Sequence, residues 1–212
     1  GYSVSLLAHL VPSNLWQLFE QLCAIPRPSK HEQQISLWTQ SWASEHGLDI
    51  SEDTVGNLRI AKPATKGFEN RKGIILQAHM DMVPQKNTNT VHDFLTDPIT
   101  PYIDGDWVKA RGTTLGADNG IGLASTLAVL ASDDIEHGPL EVLITIDEEA
   151  GMSGAFGLQP DWFQGDILIN TDSEQEGEVY MGCAGGIDGT ATFNLDYQEV
   201  PDDYQSFNLN IS

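Results

Sequence analysis

The amino-acid sequence predicts an α/β domain in which helices flank a central, mixed and largely parallel sheet. The near-continuous apolar run GIILQAH (73–79) is typical of a strand covered on both faces. PLEVLITID (139–147) and DILINTD (166–172) are two further apolar strands with acids at their carboxyl ends. Segments with apolar residues at helical spacing alternate with these runs, which favours a layered α/β fold. With 212 residues, of which 40% are hydrophobic, the chain suits one medium domain, or one domain and a piece of a second.

Two helices are predicted before the first buried strand. The segment LWQLFEQLCAI carries apolar side chains at helical spacing behind a cap at Ser13 or Asn14. A second helix is expected after the proline-rich turn, with Ser29 and Glu32 forming a capping box. A third segment, NGIGLASTLAVLAS, is too densely apolar for a surface helix, so we predict a buried helix that begins near Asn119.

Shorter strands are predicted on either side of the first buried strand. Two of them surround the turn at 55–57, and one exposed strand follows the turn at 104–105. The glycine-rich stretch at 182–189 resembles a junction, and the alternating residues after it predict a β-rich segment that has barely begun. We therefore expect a first domain at 1–187 and the start of a second at 188–212.

The charge balance narrows the class of partner. The chain has 31 Asp and Glu against 10 Lys and Arg, a formal net charge of −21. So acidic a chain argues against a nucleic-acid or anionic-membrane surface, and metal cations or small cationic substrates fit it better. No signal segment or apolar run of membrane-spanning length is visible, so a cytoplasmic protein is expected. The only two cysteines, Cys23 and Cys183, are far apart and suggest neither a disulfide framework nor a cysteine zinc site.

Acidic residues and one histidine stand where the apolar runs end. Open α/β sheets bind ligands beyond the carboxyl ends of their strands, so these positions are candidates for a site. They are His79 and Asp81, Asp118 before the buried helix, Asp147, Glu148 and Glu149, and Asp172 and Glu174. Several carboxylates around one imidazole would repel one another unless cations were bound. Nitrogen and oxygen ligands suit zinc, with manganese or cobalt as substitutes, and this many acids suits two ions.

Each of these residues also has an ordinary structural interpretation. His79 and Asp81 lie two positions apart, so Asp81 could hold the ring of a metal-binding His79, or be an unrelated turn residue. Asp118 could bridge two ions or simply cap the helix. Of Glu148 and Glu149, one could bind a metal and the other accept a proton from water, or both could belong to a solvated acidic loop. Asp172 could equally be a turn residue.

Four segments in order carry a family resemblance: LQAHMDMVPQK, WVKARGTTLGADNGIG, PLEVLITIDEEAGMSGAFGL and ILINTDSEQEGEVYMGCAGGID. Together they resemble the aminoacyl-histidine (Xaa-His) dipeptidases of the di-zinc metallopeptidase family, which includes carnosinase-like dipeptidases and carboxypeptidase G. The similarity runs over essentially the whole chain. It implies hydrolysis of dipeptides, with a small Xaa-His dipeptide as the expected substrate.

The resemblance also implies a role for each site residue. His79, Asp118, Glu149 and Asp172 correspond to the ligands of two Zn²⁺ ions, with Asp118 as the bridging carboxylate followed by a cis peptide bond. Asp81 corresponds to the aspartate that orients His79, and Glu148 to the general base. Spacing alone does not separate the roles of Glu148 and Glu149.

The sequence departs from the family pattern in two respects. The family has a later histidine that completes the second zinc site and a lid domain that supplies another, and His137 is a poor substitute for either. We therefore expect residues 1–187 to be the N-terminal part of a catalytic domain, and 188–212 to open a lid and dimerisation domain of a homodimeric parent. The fragment alone is expected to be inactive. A related aminoacylase or carboxypeptidase, or a non-catalytic metal-binding module, remains an alternative.

Overall fold

The computed structural model describes residues 5–211, and this part of the chain contains seven strands and four helices. The strands are β1 (Asp49–Glu52), β2 (Leu58–Lys62), β3 (Ile74–His79), β4 (Pro101–Asp104), β5 (Trp107–Ala110), β6 (Leu140–Thr145) and β7 (Ile167–Asn170). The helices are α1 (Ser13–Cys23), α2 (Gln33–Glu45), α3 (Ala117–Ala131) and α4 (Ser153–Gly157). Within the described residues, none of these helices is both long and apolar enough to span a lipid bilayer.

Five strands form the central sheet in the order β1-β2-β6-β3-β7. β3 runs parallel to β6 and β7, whereas β2 runs antiparallel to β1 and β6. The predicted mixed sheet flanked by helices is confirmed, although its parallel and antiparallel pairings are equal in number. The antiparallel pairing of β1 with β2 has a local cause, because the turn at Gly56, where φ is +109°, folds these two strands into a hairpin.

The three predicted apolar strands form the parallel part of this sheet, but β3 is only partly buried and all four residues of the edge strand β7 are exposed. All six residues of β6 are buried, as expected for a central strand covered on both faces. In the register, His79 at the end of β3 lies opposite Thr145 at the end of β6, and Gln77 lies opposite Asn170 of β7. The carboxyl ends of β3, β6 and β7 therefore meet at one edge of the sheet.

The first two helices form where they were predicted but begin differently. α1 follows Pro12 and α2 follows Glu32, and neither start has a side-chain capping bond. The predicted capping box is therefore wrong. The hydroxyl of Ser29 instead donates to the Asp81 carboxylate at 2.6 Å, because the turn that carries it pairs with the chain just after β3.

The third helix is the buried one, and it packs against α1 and β3. Gly116 precedes it with a left-handed φ of +75°. Asp118 and Asn119 have non-helical backbone angles within its first turn, and the peptide bond between them is cis, as the resemblance implies. Asp118 therefore lies where the chain enters the core helix, beside the carboxyl edge of the sheet.

A separate two-stranded hairpin, β4–β5, carries the predicted exposed strand. Its turn contains Gly105 with a φ of +60°, which agrees with the predicted turn at 104–105.

The chain divides into two units at Glu176 and Gly177. Among the described residues of the second unit, 177–211, there is no strand, so the predicted β-rich segment does not form there. A strand needs a neighbour to pair its backbone N–H and C=O groups, and two short alternating stretches do not make a stable sheet alone. The assignment of 188–212 to a lid and dimerisation domain remains a prediction.

Candidate metal centre

The candidate site lies at the sheet edge where β3, β6 and β7 end. His79 is the last residue of β3, Glu148 and Glu149 follow β6, and Asp172 follows β7. Asp118 reaches the same place from the start of α3. The structure therefore brings together all the acids and the histidine that were predicted as ligands or base, at the edge where open α/β sheets bind ligands.

His79 is the centre of this arrangement and is only 2% exposed. Its Nε2 atom lies 2.9 Å from Oδ1 of Asp118, 3.6 Å from Oδ1 of Asp172 and 3.9 Å from Oε2 of Glu148. Burial by itself would lower the pKa of His79, but the nearby carboxylates of Asp172 and Asp81 outweigh this effect and raise that pKa to about 11. The carboxylates around the ring thus favour a positive charge beside the nitrogen that faces them.

Asp81 supports His79 from the other side. Its Oδ1 atom lies 3.2 Å from Nδ1 of His79, which also lies 3.0 Å from the backbone carbonyl oxygen of Asp81. The backbone N–H groups of Glu148 and Glu149 donate to Oδ1 and Oδ2 of Asp81 at 3.1 and 3.2 Å. Burial would raise its pKa, but hydrogen bonds from His79 and Ser29 lower the pKa of Asp81 to about 2. One ionised carboxylate thus orients the imidazole and anchors the loop after β6.

Asp118 and Asp172 face Nε2 of His79 as a pair of carboxyl groups. Burial and the neighbouring Asp172 raise the pKa of Asp118. Burial by itself would raise the pKa of Asp172, but hydrogen bonding to His79 and the positive charge of that ring lower it. The Nδ2 group of Asn119 donates to Oδ1 of Asp172 at 2.8 Å and fixes its position. The pair therefore concentrates negative charge at one point, which favours cation binding.

Glu148 and Glu149 complete the site from the loop after β6. Burial, together with the negative charges of Asp172 and Asp81, raises the pKa of Glu148. Burial and the charge of Asp118 likewise raise the pKa of Glu149. A glutamate with a raised pKa exchanges protons more readily near neutral pH, as a general base must.

Two groups of side chains have the geometry to hold divalent cations. The ligand atoms of His79, Asp118 and Asp172 lie within 4.8 Å of one another, as do those of His79, Glu148 and Glu149. The donors are nitrogen and oxygen without thiolate, which zinc accepts and manganese or cobalt also accept. Cations would relieve the repulsion between these carboxylates. Because both groups use His79, whose Nε2 has one lone pair, the residues fit one ion at His79 and leave carboxylates beside it for a second ion.

Other residues considered from the sequence lie outside both groups. Asp147 accepts a hydrogen bond from the hydroxyl of Ser153 at 2.7 Å, and Glu174 is exposed beyond β7. His137 stands before β6, at the opposite end of that strand, with Nδ1 2.7 Å from the carbonyl oxygen of Gly138. Among the described residues, His79 is the only histidine in either group, so the second histidine of the family pattern has no counterpart there.

Sequence reasoning missed three supporting residues. Ser29 was interpreted as part of a cap, Asn119 only as a helix start, and Arg27 was not considered. Arg27 is 1% exposed, and its guanidinium donates to three backbone carbonyl groups beside the site. Their contacts join residues 52 to 89 positions apart, and no local spacing pattern signals such partners.

Comparison with known proteins identifies relatives of this chain. Residues 75–196 match the model of peptidase family M20/M25/M40. The chain is 62% identical over 208 residues to a cytosol non-specific dipeptidase of Escherichia coli (strain K12), covering 98% of this chain and 43% of that protein. A crystal structure of aminoacylhistidine dipeptidase from Vibrio alginolyticus matches with a TM-score of 0.82 and 66% identity, over 84% of this chain and 36% of that one.

A more distant structure, a tripeptidase from Staphylococcus aureus, matches with a TM-score of 0.65 and 26% identity. It covers 76% of this chain and 43% of that one. The chain thus spans less than half the length of each of these relatives. The family match extends over more than half of the chain and includes every predicted metal ligand. The chain therefore belongs to peptidase family M20/M25/M40.

Proposed function

We propose that this chain carries the metal-binding half of a dipeptidase that hydrolyses the peptide bond with two divalent metal ions, Zn²⁺ in the first instance. The observation that carries this proposal is the position of His79 Nε2, which faces Asp118, Asp172 and Glu148 while Asp81 holds the opposite nitrogen. His79, Asp118 and Asp172 would hold one ion. Asp118 and Glu149 would hold the other.

When bound, such ions polarise the scissile carbonyl and lower the pKa of a water molecule. The chain's own residues do the rest. Asp81 accepts a hydrogen bond from the Nδ1–H group of His79, which keeps the proton on that nitrogen and the lone pair of Nε2 directed at the metal position. Glu148 takes a proton from the attacking water and then delivers it to the nitrogen of the leaving amine. Its raised pKa suits both transfers.

The substrate class is proposed from the relatives. One is named a non-specific dipeptidase and the other an aminoacylhistidine dipeptidase, so both names indicate dipeptides. We propose Xaa-His dipeptides of the carnosine type as substrates. Broad dipeptide specificity is the second candidate, and the 62% identity to the non-specific enzyme favours it.

A substrate panel on the full-length protein tests this function. We expect cleavage of β-alanyl-histidine and glycyl-histidine, loss of activity after chelation, and recovery with Zn²⁺. Equal rates on dipeptides without histidine would select the broad specificity. Cleavage of N-acyl amino acids in preference to all dipeptides, or activity that chelators do not affect, would contradict the proposal.

We also infer a cytoplasmic location, which the name of the E. coli relative supports, and a homodimeric full-length protein, which rests on the family resemblance. Light scattering on the purified full-length protein tests the second inference. A mass of one subunit across the measurable concentration range would contradict it.

A further inference from the structure

Arg27 is a buried arginine that touches the backbone of two segments of the site. Its side chain is 1% exposed. Nη1 donates to the carbonyl oxygens of Met80 and Asp81, each at 3.3 Å, and Nη2 donates to the carbonyl oxygen of Gly116 at 2.6 Å. One planar guanidinium thus joins the chain leaving β3, which carries Asp81, to the loop that enters α3, which carries Asp118.

Two glycines beside Arg27 leave room for its guanidinium. A Cβ atom at Gly116 would lie 2.7 Å from Nη2, and one at Gly120 would lie 2.6 Å from it. Glycine at both positions therefore allows the start of α3 to approach the guanidinium this closely. The backbone of Arg27 is also fixed, since its carbonyl accepts the N–H of Met82 at 3.1 Å.

Arg27 makes no ion pair with a carboxylate among the described residues, although it is a buried cation. Burying an arginine costs free energy, and an apolar side chain of similar volume often serves stability as well or better. Its five N–H donors in a rigid fork can, however, bridge separate acceptors in a way that lysine cannot. The contacts therefore indicate a geometric role.

We propose that Arg27 is a positioning residue of the metal centre, which holds Asp81 and Asp118 in register so that His79, Asp118 and Asp172 can bind one ion together. This inference rests on the proposed metal-dependent function. Arg27 touches neither substrate nor metal. It acts through the two backbone segments that its guanidinium joins.

A zinc titration distinguishes a positioning role of Arg27 from a purely electrostatic one, because the two predict opposite changes in zinc affinity when Arg27 is replaced. A positive charge beside the site repels cations, so loss of that charge alone would tighten zinc binding. Loss of the hydrogen bonds that join the two backbone segments would weaken zinc binding. The expected loss is about 10- to 100-fold, the contribution of partners that orient metal ligands in other proteins.

Zinc affinity of the full-length protein, measured by competition with a chromogenic chelator, tests the proposal. We expect both Arg27→Met and Arg27→Lys to weaken zinc binding at least about 10-fold. Lysine keeps the charge but cannot reach both segments. If Arg27→Met does not fold, Arg27→Lys decides alone, with thermal unfolding of the metal-free protein as the check on folding.

Arg59→Met is the matched control. Arg59 is a partly buried arginine whose guanidinium pairs with Glu141 at the start of β6, away from the metal centre. We expect the Arg59→Met substitution to lower the stability of the protein and leave its zinc affinity unchanged. Wild-type affinity in Arg27→Lys, or tighter binding in Arg27→Met, would overturn the role of Arg27 alone. Failure of the unaltered protein to bind zinc would overturn the metal-dependent function as well.

Discussion

Replacing Glu148 with glutamine is expected to lower kcat for dipeptide hydrolysis by about 10²- to 10⁴-fold, the usual contribution of a general base. Glutamine has nearly the same shape but cannot take a proton from water. The backbone N–H of residue 148, which donates to Asp81, is unchanged by the substitution. We therefore expect the metal content, measured by atomic emission on the purified full-length variant, to equal that of the unaltered protein.

Glu174→Gln is the control for this experiment. Glu174 lies after β7, is exposed and is outside both groups of candidate ligands. Its replacement removes the same charge from the same region and should leave kcat unchanged. Near-normal turnover by Glu148→Gln would assign the proton transfer to another group, and loss of metal would show that Glu148 is a ligand.

Replacing His79 with alanine is expected to weaken zinc binding by more than about 100-fold, because even the partners that orient metal ligands contribute 10- to 100-fold. Among the described residues, His79 belongs to both groups of candidate ligand atoms and is the only nitrogen donor in either of them. Activity at limiting zinc should fall with the loss of metal. Chelator competition measures the affinity, and turnover at several zinc concentrations measures the consequence.

His137→Ala serves as the comparison for His79→Ala. His137 stands at the amino-terminal end of β6, whereas the site lies at its carboxyl end. We expect zinc affinity and turnover of this variant to match the unaltered protein. Equal zinc affinity in His79→Ala and the unaltered protein would exclude His79 as a ligand.

The fold was predictable where a signal lies within a short stretch of sequence. The apolar run of β6 and the dense apolar surface of α3 require burial on all sides, and both were located correctly. The equal share of antiparallel pairings was not predicted, because the position of β2 beside β6 depends on packing between segments far apart in sequence. The β-rich segment after residue 188 was predicted from alternation alone, which does not supply a partner strand.

The site was predictable for a related reason. Strand ends can be located from apolar runs, and parallel strands bring their carboxyl ends together, so His79, Glu149 and Asp172 could be expected at one edge. The family resemblance then separated the role of Glu148 from that of Glu149. The supporting contacts of Arg27, Ser29 and Asn119 join residues 52 to 89 positions apart, so no local pattern signals them. Serine and asparagine are also common in ordinary turns and helix caps.

The central claim is that these side chains hold two metal ions. Anomalous diffraction at the zinc absorption edge, from crystals of the full-length protein grown with Zn²⁺, tests it most directly. We predict two peaks about 3.5 to 4 Å apart, with Asp118 between them. One should lie about 2.0 to 2.1 Å from Nε2 of His79, and the other beside Glu149. No peak at bonding distance from His79, in crystals of a protein whose hydrolysis requires zinc, would contradict the account.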